Sequence, residues 1–299
     1  MAVTYRDLYL DLRREFRSAG FPGAALEARE LVAFGAGKTR EELRRDEPLY
    51  MSPATEERIR ALADRHLTGE PVPYILGEWD FFGLTLELNP EVLIPRPDTE
   101  VLAEEAIRFL QGLGGECRAL DLCAGSGCIG LALCAQVPGA RVTLGEKSEG
   151  ALRICRQNIR RNGLTARAAA VQLDALAAPE HTLGTFQCVA CNPPYIPAGV
   201  IPRLDVSVRD YEPHMALDGG PDGLTFYRFI AEHWQRALCP GGRLFFEVGA
   251  GQAEDVERIL RRWGWTDTRT VPDTAGIPRV VSATRPGEPE VNTESNTEE

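Results

Sequence analysis

Apolar residues recur at helical spacing through the first part of the chain. Tyr5, Leu8, Leu12 and Phe16 share one face behind Thr4 and Asp7, a pair that signals a helix cap. Gly20, Phe21 and Pro22 break that run. A second short helix is predicted over 26–32, with a stop near Gly35. Thr39 with Glu42 makes a capping-box pattern for a third. Ser52 followed by Pro53 opens a fourth, which carries Ile59, Leu62, Ala63 and Leu67 on one face and stops at Gly69. The pattern predicts a small helical bundle over 1–74. Pro71 and Pro73 then read as a linker, and Leu84, Leu86 and Leu88 alternate with Thr85 and Glu87 at strand period. A connecting β-hairpin is predicted over 75–95.

Beyond Asp98 the two periods alternate. Helices are predicted over 99–111, from near Gly127, and over 148–161, 224–238 and 252–263. Strands are predicted over 118–122, 141–145, 168–173, 186–191, 243–248, 265–271 and 279–284. A long loop crosses 192–221, and Pro240-Gly241-Gly242 reads as a turn before the fifth strand. Repeated alternation implies one α/β unit over 96–286 with a mainly parallel sheet covered on both faces. The last stretch, 287–299, is rich in Glu, Asn, Thr and Pro and is expected to be a disordered acidic tail.

Composition narrows the class. The 299 residues exceed one ordinary domain, and 43% apolar with 26% charged residues is the balance of a globular chain. The net charge of −11 argues against a constitutive nucleic-acid binder, which needs a concentrated basic face. The excess is uneven. Residues 1–75 hold 12 basic and 13 acidic groups, 76–286 hold 21 and 26, and 287–299 hold none and five. The folded part therefore carries about −6, little of it informative about partners. There is no apolar run of transmembrane length and no apolar signal core near the N-terminus. The eight cysteines lie between Cys117 and Cys239, mostly in apolar runs, which suits reduced thiols in a cytoplasmic protein.

The first β/α turn reads ALDLCAGSGCIG, with Gly125, Gly127 and Gly130 in a G-x-G-x-x-G spacing. Such a loop lets backbone amides approach a nucleotide cofactor, and alone it does not say which. Two acids bias the choice. Asp121, at the strand end, suits the amino group of a methionine moiety and would repel a pyrophosphate. Glu146, at the end of the second strand, can accept both ribose hydroxyls. The pair favours S-adenosylmethionine over a dinucleotide. Asp121 as a cap of the next helix and Glu146 as a surface acid are the plain structural alternatives. Asp174, with Ala175 beside it, is a candidate for adenine contact or a simple cap.

At the end of the fourth strand of the α/β unit stands Asn192-Pro193-Pro194-Tyr195. Two prolines there end the ladder and stiffen the chain. An amide NH2 is a poor nucleophile because its lone pair is delocalised. To attack a sulfonium methyl it must be held in line by two acceptors, here the Asn192 side-chain oxygen and the Pro193 carbonyl. Tyr195 offers a flat face and tolerates developing positive charge. Orientation and electrostatics carry the catalysis, with Asn192, Pro193 and Tyr195 as the catalytic set.

At these residues the chain resembles the bacterial release-factor glutamine methyltransferases of HemK type. The resemblance runs from residue 1 to about 285 through FFGLTLELNPEVLIPRPDTE, DLCAGSGCIG, NPPYIP, YEPHMALDGGPDGLTFYR, FFEVGAGQ and GIPRVV. It implies a Rossmann-like seven-stranded class I methyltransferase unit with a helical substrate-recognition bundle and a connecting hairpin. It also implies methylation, from S-adenosylmethionine, of the glutamine N5 in the Gly-Gly-Gln loop of peptide-chain release factors. Carried over, the cofactor loop falls on Cys123, Ala124, Gly125, Ser126 and Gly127, the ribose acid on Glu146, and the adenine side on Asp174 and Ala175. The substrate glutamine falls on Asn192, Pro193, Pro194 and Tyr195, with Arg96 and Thr99 lining the methionine end. The chain departs from the pattern at Cys123, where glycine torsions are not available, at Gln187 and at the longer acid Glu146.

Other readings stay open at this point. They are a glutamine methyltransferase of a ribosomal protein, a nucleic-acid amino-methyltransferase without a basic reading domain, a silent translation-binding module, and a dinucleotide oxidoreductase. Cys188 and Cys191 spell C-x-x-C, but i and i+3 on a strand point to opposite faces, so neither metal nor redox pairing is expected. His214 reads as a loop surface residue; Asp222 and Glu247 resemble family positions, and a role in holding the long loop explains them equally well; Trp79, Phe81 and Phe82 read as inter-domain packing.

Overall fold

A computed structural model describes residues 3–287, so all but Gly287 of the expected acidic tail lies outside the described residues. The chain opens with helices α1 (Tyr5–Ser18), α2 (Ala24–Ala36), α3 (Arg40–Asp46), α4 (Pro53–Leu67) and α5 (Val72–Leu76). Thr4 and Thr39 each close a capping box, and Ser52 caps α4 ahead of its first-turn proline. Helix α2 runs through Gly35 rather than stopping there. A Cβ at that position would lie 2.6 Å from Cγ1 of Ile59, so the glycine serves the close α2–α4 crossing and does not end the helix. Helix α5 was not expected at all. Two prolines suggested a linker, but Pro73 sits in the first turn, where its missing N–H costs nothing, and Gly77 closes the helix in the left-handed region.

Strands β1 (Glu78–Phe81) and β2 (Leu84–Glu87) form the hairpin, joined by Phe82 and Gly83 at φ +50° and +76°. Two positive φ values are what a two-residue hairpin turn of right-handed twist requires. The Phe82 amide donates to Glu100 of α6 (Pro97–Leu113), which ties the turn to the next unit.

There follow β3 (Cys117–Leu122), α7 (Cys128–Gln136), β4 (Ala140–Glu146), α8 (Glu149–Arg161), β5 (Ala168–Gln172) and β6 (Phe186–Cys191). After the long loop, which contains the single turn α9 (Val206–Arg209), come α10 (Thr225–His233), β7 (Leu238–Glu247), α11 (Ala253–Arg262), β8 (Thr266–Pro272) and β9 (Pro278–Thr284). The sheet order is β5-β4-β3-β6-β7-β9-β8, with β9 antiparallel to both neighbours and the pairs from β5 to β7 parallel. This is the Rossmann-like, seven-stranded arrangement that the resemblance implies. Two boundaries differ from expectation. Helix α10 ends at His233, and β7 starts five residues early at Leu238, absorbing Pro-Gly-Gly as an irregularity opposite Phe186–Cys188.

Two cores flank the sheet. Helices α6, α7 and α8 bury Leu102, Leu131 and Ile154 on one face, and α10 and α11 bury Tyr227, Trp234 and Leu260 on the other. The third core is that of the helical bundle, around Leu12, Phe16, Leu31 and Ile59. Cys188 belongs to the first core and Cys191 to the second, as the strand period requires. Trp79 packs against both the bundle core and the first sheet core.

Candidate active site

The strand order reverses between β3 and β6, and a crevice opens beyond the carboxyl ends of β3, β4, β5 and β6. It holds a cavity of about 900 Å³, counting its open mouth, within the range of small-molecule sites.

The glycine-rich loop forms its floor. Cys123, Gly125 and Gly127 all have positive φ, at +65°, +53° and +85°. Cys123 thus adopts the torsion that its side chain was expected to preclude. The left-handed region costs an L residue about 1–2 kcal/mol, and the thiol packs against the second core. At Gly127 a side chain would meet Leu144 Cδ2 at 2.9 Å and Cys155 Sγ at 3.0 Å, so α7 can seat only over glycine.

Asp121 is fully buried beneath the loop and does not line the cavity. Its Oδ2 accepts from the Gly130 amide at 2.7 Å, which is the helix-cap arrangement, while Oδ1 has no partner. Burial pushes this carboxyl up to about 7 against the pull of the Gly130 amide. The carboxylate expected to meet an amino group directly is therefore used to anchor the start of α7.

Glu146 does line the cavity. Its oxygens accept from the Gly125 amide at 2.9 Å and the Ser148 amide at 2.7 Å, so the loop and α8 hold the carboxylate fixed at the mouth of β4. Asp174 and Ala175 line the opposite side. Asp174 accepts from the Leu176 amide at 2.9 Å and pairs with Lys147 at 2.9 Å. Burial raises the Asp174 carboxyl, and Lys147 with the Leu176 amide outweighs it, so it titrates below its ordinary range. Leu173 and Phe226 supply apolar walls. The signal for Phe226, an aromatic in the first turn of α10 just past the long loop, is present in the sequence but indistinguishable from a core residue. Apolar walls with a carboxylate on either side suit an adenosine moiety.

Asn192 and Pro194 complete the rim, and the two prolines are buried. The Asn192 Nδ2 donates to Thr99 Oγ1 at 3.4 Å. Tyr195 is half-buried, its hydroxyl 3.5 Å from Oε1 of Glu247. Burial and the negative Glu247 push the phenol up to about 12. Glu247 itself is 1% exposed, and burial lifts its carboxyl to about 7. The carbonyl of Tyr195 accepts from Gln252 Nε2 at 3.0 Å, which fixes the backbone after the tetrapeptide. Ala124, Ser126, Gly127, Pro193 and Tyr195 flank the lining residues along the chain.

Two further expectations are corrected. Arg96 does not line the cavity; it pairs with Glu212, which also accepts from the Ile94 amide at 3.3 Å and so pins the long loop to the segment before α6. Thr99 is 2% exposed and sits behind Asn192, not in the cavity. Asp222 pairs with Arg228 and accepts from the Leu224 amide at 3.1 Å, so it starts α10, and His214 is exposed in a turn. Asn158 was missed. It is fully buried and bridges β2 to the Ser126 carbonyl. Its signal was a polar residue on the apolar stripe of α8.

Two family models match the chain, the PrmC N-terminal domain over residues 7–77 and the Methyltransferase small domain over residues 105–202. A release factor glutamine methyltransferase of Geobacter sulfurreducens is 42% identical, covering 88% of this chain and 90% of its own length. That of Bradyrhizobium diazoefficiens is 39% identical over 91% and 92%. Among solved structures, a methyltransferase from Pyrococcus furiosus aligns with a TM-score of 0.50 at 20% identity, covering 75% of this chain and 97% of that one, a likeness of fold.

Proposed function

The chain belongs to the release factor glutamine methyltransferases, and from that premise we propose that it methylates the N5 side-chain amide of the Gly-Gly-Gln glutamine in peptide-chain release factors, in the cytoplasm. The observation that carries this reading is Asn192 at the rim of the cavity lined by Glu146 and Asp174, with its Nδ2 occupied by Thr99.

S-adenosylmethionine, when bound, supplies an electrophilic sulfonium methyl. Glu146 suits its ribose hydroxyls, and Asp174, Ala175, Leu173 and Phe226 suit its adenine. We assign the Asn192 side-chain oxygen and the Pro193 carbonyl as acceptors of the two N–H bonds of the substrate amide. Holding both N–H groups turns the nitrogen lone pair toward the methyl and lowers the entropic part of the barrier. Tyr195 supports the planar amide, and its raised pKa keeps it a neutral phenol at physiological pH. We take residues 1–74 as the substrate-recognition unit, 75–95 as the connecting hairpin and 96–286 as the catalytic unit.

The test is transfer of labelled methyl from S-adenosylmethionine to a purified release factor. Asn192→Ala is expected to lower transfer at least 100-fold, the scale of losing one oriented polar contact to a transition state, while S-adenosylhomocysteine still binds. Label found only on a ribosomal protein or only on DNA would reject the substrate.

A further inference from the structure

The Tyr195 ring can support a planar amide only if its own plane is held. Its far end is held weakly, since the hydroxyl stands 3.5 Å from Glu247 Oε1, at the outer limit of a hydrogen bond. The backbone end must therefore set the ring. Pro193 and Pro194 stiffen the approach from one side. On the other side the chain enters the long loop, where Ile196 pairs with Leu217 and Gly219.

Three glycines crowd Tyr195. A Cβ at Gly219 would sit 2.7 Å from Tyr195 Cα, one at Gly223 2.3 Å from the Tyr195 carbonyl oxygen, and one at Gly249 3.1 Å from ring atom Cδ2. Neighbouring backbone thus packs directly on its main chain and its ring. Among the described residues no backbone N–H reaches the Tyr195 carbonyl. The side chain of Gln252 does. Its Nε2 donates to that carbonyl at 3.0 Å and to the Gly223 carbonyl at 3.4 Å.

A glutamine amide could turn either end toward those carbonyls, and the turn between β7 and α11 decides which. The Gly249 amide donates to Gln252 Oε1 at 2.9 Å, and the Gln252 amide donates back to the Gly249 carbonyl at 3.0 Å. An N–H only donates and a carbonyl only accepts, so Oε1 must face Gly249 and Nε2 must face Tyr195. The two halves of one side chain therefore have separate tasks. The oxygen closes the turn at the start of α11, and the nitrogen joins that turn to the strand-end tetrapeptide.

We propose that Gln252 is a positioning residue for methyl transfer, whose Nε2 clamps the Tyr195 carbonyl and so fixes the plane of the ring on which the substrate amide lies. The proposal rests on the methyl-transfer reading given above, and it makes Gln252 a contact of neither substrate nor cofactor.

The experiment uses the full chain at pH 8, labelled S-adenosylmethionine and a purified release factor. Gln252→Glu keeps the length and an oxygen for Gly249, and it replaces the donor by an acceptor facing two carbonyls. Gln252→Met removes both halves. Each is expected to lower kcat at least tenfold, because a small misplacement of a positioning group is enough for such a loss. KM for the release factor and the Kd of S-adenosylhomocysteine are expected to stay within about threefold of wild type, and that retained binding shows that the variants are folded. If Gln252 served only to close its own turn, Gln252→Glu would match wild type and Gln252→Met alone would be slow. A Gln252→Glu enzyme with the wild-type kcat therefore overturns the clamp, as does a loss confined to KM or to the Kd of S-adenosylhomocysteine. A second readout needs no substrate. The Tyr195 ring signals in a carbon–proton spectrum of tyrosine-labelled protein, assigned with Tyr195→Phe, should move in both variants. Unmoved signals overturn the clamp whatever the protein methylates. A wild-type enzyme that labels no release factor, with these shifts present, rejects the substrate and leaves the clamp standing.

Discussion

Asp121 faces inward. The sequence places it at the end of a strand, but strand alternation cannot say whether a carboxylate at that point reaches over the glycine loop or under it. The answer depends on where the Gly130 amide falls, nine residues on. The consequence is a pH dependence of stability with a definite sign. Its carboxyl stands near 7 in the folded chain because burial penalises the charge, against about 4 when unfolded. Between those values the folded state holds the proton and the unfolded state does not, so stability falls as pH rises from about 4 to 7 and then levels. Asp121→Asn keeps an acceptor for Gly130 and cannot ionise. Urea unfolding of both proteins should show the variant gaining on wild type by a few kcal/mol from pH 4 to pH 8, at up to about 1.4 kcal/mol per pH unit. A constant difference across that range would mean that the ionised carboxylate is not penalised. Cys123 teaches a related lesson. A non-glycine residue at a loop's first glycine position suggested a different torsion, yet Cys123 takes the left-handed one, as Gly125 and Gly127 do after it.

At the scale of elements, periodicity located the helices and strands and missed what depends on a distant partner. The Pro240-Gly241-Gly242 segment has turn composition, and it becomes part of β7 because β6 lies alongside it across an irregular register. The long loop over 192–221 contains only short turns, held by Ile196 pairing with Leu217 and Gly219 and by Glu212 bonding to Ile94 and Arg96. No local pattern announces those bonds. Asn158 is the clearest case, since one side chain joins three elements. It donates to the Glu87 carbonyl at 3.1 Å and the Ser126 carbonyl at 2.9 Å and accepts from the Glu87 amide at 2.6 Å. Asn158→Ala would leave these backbone groups buried and unpaired, at about 1–3 kcal/mol for each such group before relaxation. A loss of about 3 kcal/mol in unfolding free energy is expected, together with weaker S-adenosylhomocysteine binding because the cofactor loop loses its tether. Calorimetric titration with unchanged affinity would show that the loop holds its shape without Asn158.

Taken whole, the described residues hold three cores, and the sequence changes composition and period near residue 75. What could not be read is how firmly the parts are joined. Helix α5, mistaken for a linker, turns Val72 and Ile75 into the bundle core and Tyr74 into the first sheet core, where the Tyr74 hydroxyl donates to the Val92 carbonyl at 2.6 Å. Gly69, one turn earlier, lies so close to the long loop that an added Cβ would sit 2.7 Å from Val206 Cγ1. A helix that belongs to two cores at once cannot remain ordered when either melts. The bundle and the sheet should therefore lose their structure together, in one endotherm whose van't Hoff and calorimetric enthalpies agree. Two separated heat-absorption peaks would show that the joint is loose. If there is one, thermal protection by a ligand in the cavity will extend to the helical bundle, and a protease site introduced in α1 will report on occupancy of a site formed by other elements.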